Sequence, residues 1–154
     1  MSDTLSLPQI MAELAAMEDA RIRAVNLTHG DDHGVNLSHL RNLAKRLKTQ
    51  HELALALWAT GDSAARLLAM LVARPKAFGL DQLDTMVGEI GTPKLLDWFT
   101  SYQVKPGAHA EALRLRWKDQ PGLVGRAGWS LTTDRVIKSP EGLDLQALRD
   151  HIEA

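Results

Sequence analysis

The amino-acid sequence predicts an all-α protein built from about eight or nine helices of modest length. Apolar residues recur three or four positions apart through nearly every segment, which is the period of an amphipathic helix. Almost no segment alternates apolar and polar residues as a half-buried strand does. Short turns separate the segments, as at Lys105-Pro106-Gly107 and Gln120-Pro121-Gly122. We therefore expect antiparallel helix pairs in series.

The length and the composition favour one domain over residues 1–154, because 154 residues of which 45% are hydrophobic form one sizeable core. The formal net charge is -1, so binding to nucleic acid would depend on a local basic patch. The absence of cysteine excludes disulfides, thiolate metal sites and cysteine nucleophiles. We see no signal peptide and no apolar run of membrane-spanning length, and we expect a cytoplasmic protein without a membrane partner.

The first helix is expected from Leu7 to Leu27, with its start at Ser6. A polar loop follows, and it contains a cluster of side chains of the metal-ligating type, namely His29, Asp31, Asp32 and His33. Their spacing matches no established metal-binding motif, and Gly30 and Gly34 are typical of a flexible loop. We therefore predict neither a metal site nor a cofactor.

The next helix combines an apolar face with a basic face. Ser38 is a suitable N-cap for it. The basic face carries Arg41, Lys45, Arg46 and Lys48. A further helix is expected from Gln50 to Ala59. Asp62 and Ser63 are cap-type residues for the helix from Ala64 to Ala73, which is apolar nearly all round and is therefore expected to be buried.

Five further helices are expected in the second half of the chain, and they span Asp81 to Ile90, Lys94 to Val104, Ala108 to Lys118, Leu123 to Ile137 and Asp144 to Ile152. Thr92 is expected to cap the second of these helices, with Pro93 at its first position. Gly125 and Gly128 weaken the fourth helix unless another element packs closely against it.

Two segments of the chain suggest an internal repeat. The run from Glu52 to Trp58 can be laid over the run from Glu111 to Trp117, and an arginine follows each run in the next helix, Arg66 and Arg126. We interpret each unit as a helix-turn-helix repeat of an α-solenoid, whose concave side offers a binding surface. The offsets differ by one residue, so a chance similarity is the alternative.

Four helical segments together resemble a known family, and they run from His33 to Lys45, from His51 to Gly61, from Ala65 to Ala69 and from Leu123 to Gly128. The chain is similar, from Gly30 to Leu131, to the DNA alkylation repair family of AlkD-type alkylpurine DNA glycosylases. This resemblance implies an α-α superhelix of HEAT-like antiparallel helix pairs. It also implies that the chain binds alkylated duplex DNA in a basic concave groove, where the family hydrolyses the glycosidic bond of a cationic purine.

The resemblance also implies candidate catalytic residues. The family uses a Trp-Asp-x-x-Asp motif, an arginine in a later helix and a further tryptophan. The final aspartate of the motif falls on Asp97 and the arginine falls on Arg126. Pro93 and Lys94 stand where the motif has its tryptophan and its first aspartate, and no residue up to Ala154 matches the further tryptophan. Whether the chain is an enzyme is therefore left open.

A carboxylate such as Asp97 suits this reaction, because departure of a cationic purine builds positive charge on the sugar that a fixed anion stabilises. An arginine such as Arg126 suits the adjacent phosphate. The alternative is that Asp97 and Arg126 form a structural ion pair.

Six basic side chains are the candidate DNA contacts, and they are Arg41, Lys45, Lys48, Arg114, Arg116 and Lys118. The alternative function is a non-catalytic HEAT-like scaffold for protein–protein interaction. An open solenoid end exposes apolar surface, so a homodimer through that end is also predicted. Tryptophans at helical spacing among leucine and alanine are expected in the core, and the chain has Trp58, Trp98, Trp117 and Trp129.

Overall fold

The computed structural model describes residues 5–138, and that part of the chain is helical without a strand. Its α-helices are α1 (Leu7–Met17), α2 (Ala20–Thr28), α3 (Leu37–Leu47), α4 (His51–Ala59), α5 (Ser63–Val72), α6 (Leu80–Glu89), α7 (Pro93–Trp98), α8 (Ala110–Trp117) and α9 (Gly122–Lys138). A short 3-10 turn (Pro75–Ala77) and a π-helical segment (Phe99–Val104) complete it. The prediction of an all-α fold is confirmed. The helix predicted from Asp144 to Ile152 lies outside the described residues.

The prediction of one helix from Leu7 to Leu27 is wrong, because the chain breaks between α1 and α2. The Asp19 carboxylate accepts hydrogen bonds from the Arg21 and Ile22 amides at 2.8 and 3.3 Å, so it caps a new helix. The Asp19 amide donates to the Gly34 carbonyl at 2.9 Å, which fixes the break against the loop that follows α2. A side chain that bonds its own backbone in this way competes with helix continuation.

The predicted N-caps give three different outcomes. Asp62 caps α5 as expected, since its carboxylate accepts from the Ala65 amide at 3.0 Å. The cap of α3 is Asn36 rather than Ser38, because the Asn36 side chain accepts from the amide of Ser38 itself. Thr92 precedes α7 but its side chain makes no capping bond. The acceptor for the Lys94 amide of α7 is instead the Asp31 carboxylate, from a distant part of the chain.

The core is centred on α5, which packs against α1, α3, α4 and α7. Seven of the ten α5 residues are buried, and they are Ala64, Ala65, Leu67, Leu68, Ala69, Met70 and Val72. A helix that is apolar nearly all round stabilises the fold only when neighbours cover most of it, and these four helices do so together with the π-helical segment. The prediction that α5 is buried is confirmed.

Helices α8 and α9 pack against each other with their backbones in close contact. A methyl group built on Gly128 would lie 2.6 Å from Lys118 Cα at the end of α8, and one built on Gly125 would overlap the carbonyl oxygen of Gln120 in the turn that joins the two helices. Only glycine permits such an approach of two backbones. Close packing therefore explains both glycines in α9, as the sequence analysis required.

Phe99 links the two segments that the sequence analysis aligned. Its ring lies 6.2 Å from the Trp58 ring of α4 and 6.2 Å from the Trp117 ring of α8, with similar tilts of 37° and 36°. Trp58, Trp98 and Trp117 are buried, which confirms three of the predicted core tryptophans. The fourth, Trp129, is only half-buried. Within the described residues, no helix is long and apolar enough to cross a membrane.

Candidate nucleic-acid interface

An open groove of about 470 Å³ lies between α3, the end of α5 and the π-helical segment. We call it the basic groove, and its lining residues are Arg41, Ala44, Lys45, Lys48, Thr49, Leu71 and Tyr102. Three of the six predicted DNA contacts therefore line one surface. No carboxylate is among these lining residues, so the groove is positively charged although the chain as a whole has a net charge of -1.

The helical period of α3 explains why these cations point into the basic groove. Arg41 and Lys45 are four residues apart and lie on one face of the helix, and Lys48 follows the last helical residue at the same wall of the groove. The opposite face is buried in the core through Leu40, Leu43 and Leu47. Cations near the carboxyl end of α3 also interact favourably with the helix dipole. The amphipathic pattern that folds α3 thus also builds the groove wall.

Arg41 is held in place by two aromatic side chains. Its guanidinium lies over the Trp98 ring, 4.7 Å from the ring centroid, and its Nη2 donates to the Tyr102 hydroxyl at 3.2 Å. The Trp98 and Tyr102 rings meet edge to face, with 5.6 Å between centroids. Arg41 remains exposed despite these contacts. The cation is therefore fixed in one position before any ligand arrives.

Tyr102 was not predicted as a site residue, and Trp98 was predicted to lie in the core. Trp98 is buried, and it also supports Arg41 through its ring face. Tyr102 is the single tyrosine of the chain and lies four residues after Trp98. That spacing is the signal that could have placed both aromatic rings on one helical face.

The second predicted basic group, on α8 and just after it, does not line the basic groove. Arg114 is buried and forms a two-pronged ion pair with Glu111, in which Nη2 donates to Oε1 at 2.6 Å and Nε donates to Oε2 at 3.0 Å. Its burial and this pairing argue against Arg114 as a DNA contact. Arg116 pairs with Asp84 at 3.3 Å, and Lys118 pairs with its neighbour Asp119 at 3.1 Å. Carboxylates partly neutralise each of these cations.

The structure brings the two candidate catalytic residues together. Arg126 Nη2 on α9 donates to Asp97 Oδ2 on α7 at 2.9 Å. About half of each side chain is exposed, 48% for Asp97 and 51% for Arg126. A ligand in solvent can therefore reach both groups, although each charge already has a partner. Pro93, at the position of the motif tryptophan, begins α7 and presents no aromatic ring.

The loop with two histidines and two aspartates has structural roles. The Asp31 carboxylate accepts from the Lys94 amide at 2.9 Å and so caps α7 from a distant part of the chain, while Asp32 pairs with Arg23 at 2.8 Å. His33 Nδ1 accepts from the amide two residues later, and burial lowers the pKa of His33. Within residues 5–138, no three histidine, aspartate or glutamate side chains come together as metal ligands.

Comparison with known proteins places the chain in a family. The model of the DNA alkylation repair enzyme family matches residues 10–153. The chain belongs to the DNA alkylation repair enzyme family. A search of curated proteins finds no match to this chain. The resemblance stated from the sequence is thus confirmed at the level of the family.

A solved structure is similar to this chain over most of the length of this chain. It comes from work describing "a new family of proteins related to the HEAT-like repeat DNA glycosylases with affinity for branched DNA structures". The TM-score is 0.75 at 26% sequence identity, and the match covers 83% of this chain and 56% of that one. This confirms the HEAT-like helical fold. The chain spans little more than half the length of that relative.

Proposed function

We propose that this member of the DNA alkylation repair enzyme family binds DNA through the basic groove. The observation that carries the proposal is the convergence of Arg41, Lys45 and Lys48 on one groove without a lining carboxylate. The solved relative is described as having affinity for branched DNA, and the family name indicates alkylated DNA. Branched and alkylated DNA share the phosphate backbone, which is the chemistry that three clustered cations recognise.

The strength of this binding should depend strongly on salt. Each phosphate that a cation neutralises releases counterions and contributes about -0.9 to the slope of log affinity against log salt. Three cations therefore predict a slope of about -2.7, or about a 40-fold loss of affinity between 50 and 200 mM salt. Arg41 can donate hydrogen bonds to a phosphate through its planar guanidinium group, while Lys45 and Lys48 attract phosphates as single charges on flexible side chains.

Fluorescence anisotropy with labelled duplex DNA and a labelled four-way junction, at several salt concentrations, tests the proposal. Lys45→Ala should weaken binding to both DNAs and reduce the salt slope by about 1. Arg21→Ala is the matched control, because Arg21 is an exposed cation of α2 that does not line the basic groove. Equal losses in the two variants, or binding that is insensitive to salt, would contradict the proposal.

Base excision is the second candidate function, and the exposed pair of Asp97 and Arg126 favours it. A carboxylate beside a cleaving glycosidic bond and an arginine beside its phosphate could both act from this position. Single-turnover incubation with duplex DNA containing 7-methylguanine, scored for abasic sites, tests it. Release that disappears in Asp97→Asn supports excision, and binding without release leaves a DNA-binding protein. If the protein neither binds the DNA nor releases the base, the result would favour the protein scaffold.

Self-association is a further part of the proposed behaviour. Val25 and Leu27 on α2 are more than half exposed, and α2 buries none of its own residues. The homodimer predicted from the sequence stays a proposal, and these exposed apolar side chains are its support. Sedimentation velocity over a range of concentrations tests this, and a monomer at the highest concentration would argue against the homodimer.

A further inference from the structure

Tyr102 is the exposed aromatic residue of the π-helical segment, where Ser101 beside it is exposed as well. Phe99, Thr100, Gln103 and Val104 are all buried, whereas 37% of Tyr102 is exposed at the wall of the basic groove. The backbone there is wound more loosely than an α-helix, since the Lys105 amide donates to the carbonyl five residues earlier at 2.9 Å. Such π-helical turns are found frequently at functional sites.

Two contacts hold the Tyr102 side chain in one orientation. Its ring meets the Trp98 ring edge to face at an interplanar angle of 70°, and its hydroxyl accepts the hydrogen bond from Arg41. A ring that is already fixed loses little conformational entropy when a ligand packs against it. The exposed part of Tyr102 is therefore a preformed aromatic surface.

The surroundings of this aromatic surface match the chemistry of a nucleotide. The three cations of the basic groove suit phosphates, and Ala44 and Leu71 add apolar lining beside the ring. Proteins that bind single-stranded nucleic acid combine a basic groove with aromatic side chains on which bases stack. In a continuous duplex each base is already paired and stacked, so an aromatic side chain gains a base only where pairing is interrupted.

We infer that Tyr102 stacks against an unpaired base while Arg41, Lys45 and Lys48 bind the phosphates next to it. The basic groove then selects DNA with a gap or a branch point over continuous duplex. This inference rests on the proposed function and deepens it, because it names the feature of the DNA that the groove recognises. Loss of one base–aromatic stack predicts about a 10-fold loss of affinity.

The experiment compares a continuous duplex with the same duplex carrying a three-nucleotide single-stranded gap that contains 2-aminopurine. Wild-type protein should bind the gapped DNA about 10-fold more tightly and should quench the 2-aminopurine fluorescence. Tyr102→Phe keeps the ring and should retain both properties. Tyr102→Leu keeps an apolar side chain without the ring, so it should lose both properties, and its affinity for continuous duplex should match that of Tyr102→Phe, which lacks the same hydroxyl contact with Arg41.

The two variants separate stacking from a role in orienting Arg41. If the hydroxyl of Tyr102 only positions the guanidinium, Tyr102→Phe and Tyr102→Leu should weaken binding to both DNAs equally, which would overturn the inference. Circular dichroism melting of each variant shows whether it is folded.

The outcome also distinguishes this inference from the proposed function. Salt-dependent binding of wild-type protein to both DNAs with equal affinity would preserve the proposed function and refute the stacking role. A gap preference that survives in Tyr102→Leu would also refute it, because flexibility of the gapped DNA would then explain the preference. Binding to neither DNA would refute both.

Discussion

Lys48 offers a test in which stability and binding change in opposite directions. Its backbone has φ 59° and ψ -165°, a region that glycine occupies freely and that other residues occupy at a cost of about 1–3 kcal/mol. Lys48→Gly removes this strain. It also makes the unfolded chain more flexible, which lowers the free energy of unfolding by about 0.5–1 kcal/mol. The net expectation is a gain of about 1 kcal/mol in the free energy of unfolding, or about 2–4 °C in Tm for a domain of this size.

Lys48→Ala is the matched variant, because it removes the same charge and retains the strained backbone. Thermal and urea unfolding should show Lys48→Gly to be the more stable of the two, the reverse of the order at ordinary helical positions. Both variants should weaken DNA binding and reduce the salt slope by about 1, since each removes one cation from the basic groove. Equal stability of the two variants, or greater stability of Lys48→Ala, would refute the argument from strain.

Three further predictions concern stability. Asp31→Ala should cost about 1–2 kcal/mol because the Lys94 amide loses its capping acceptor, whereas Asp31→Asn keeps an acceptor oxygen and should cost less in urea unfolding. Gly128→Ala should destabilise by about 1–3 kcal/mol through overlap with the α8 backbone, while Gly88→Ala in open space on α6 should stabilise by about 0.5–1 kcal/mol, so a shared sign would contradict the packing argument. Burial lowers the pKa of His33 below that of the unfolded chain, so the unfolded state binds the proton first as pH falls below about 6.5. The free energy of unfolding should therefore decrease as the pH is lowered from about 7.5 to the pKa of His33 in the folded state. Denaturation measured at several pH values should show a smaller decrease for His33→Asn over the same range.

Local sequence signals predicted the helices because each depends on residues near one another in the chain. The apolar period located nearly every helix, and Asp62 capped α5 as expected. The break at Asp19 was missed, since apolar spacing continues across it and neither glycine nor proline stands there. The cap of α7 could not be predicted, because Asp31 lies 63 residues before the amide that it binds.

The basic groove was predictable in part for the same reason. Arg41 and Lys45 share a face through helical spacing alone, whereas the direction of the Lys48 side chain depends on the positive φ at the end of α3. Tyr102 joins them only because the π-helical segment packs near α3, and its contact with Arg41 spans 61 residues. The burial of Arg114 likewise depends on tertiary packing that the spacing of charges on α8 does not reveal.

The two arginines that the predicted internal repeat aligns have different surroundings. Arg66 lies over the Trp58 ring at 4.6 Å and donates to the Trp58 and Glu89 carbonyls, and only 15% of its side chain is exposed. Arg126 instead reaches Asp97 and keeps half of its side chain in solvent. A largely covered arginine with backbone partners stabilises the packing of its neighbours, whereas an exposed one can exchange a carboxylate for a phosphate. Of the two aligned arginines, Arg126 is therefore the one available to a ligand.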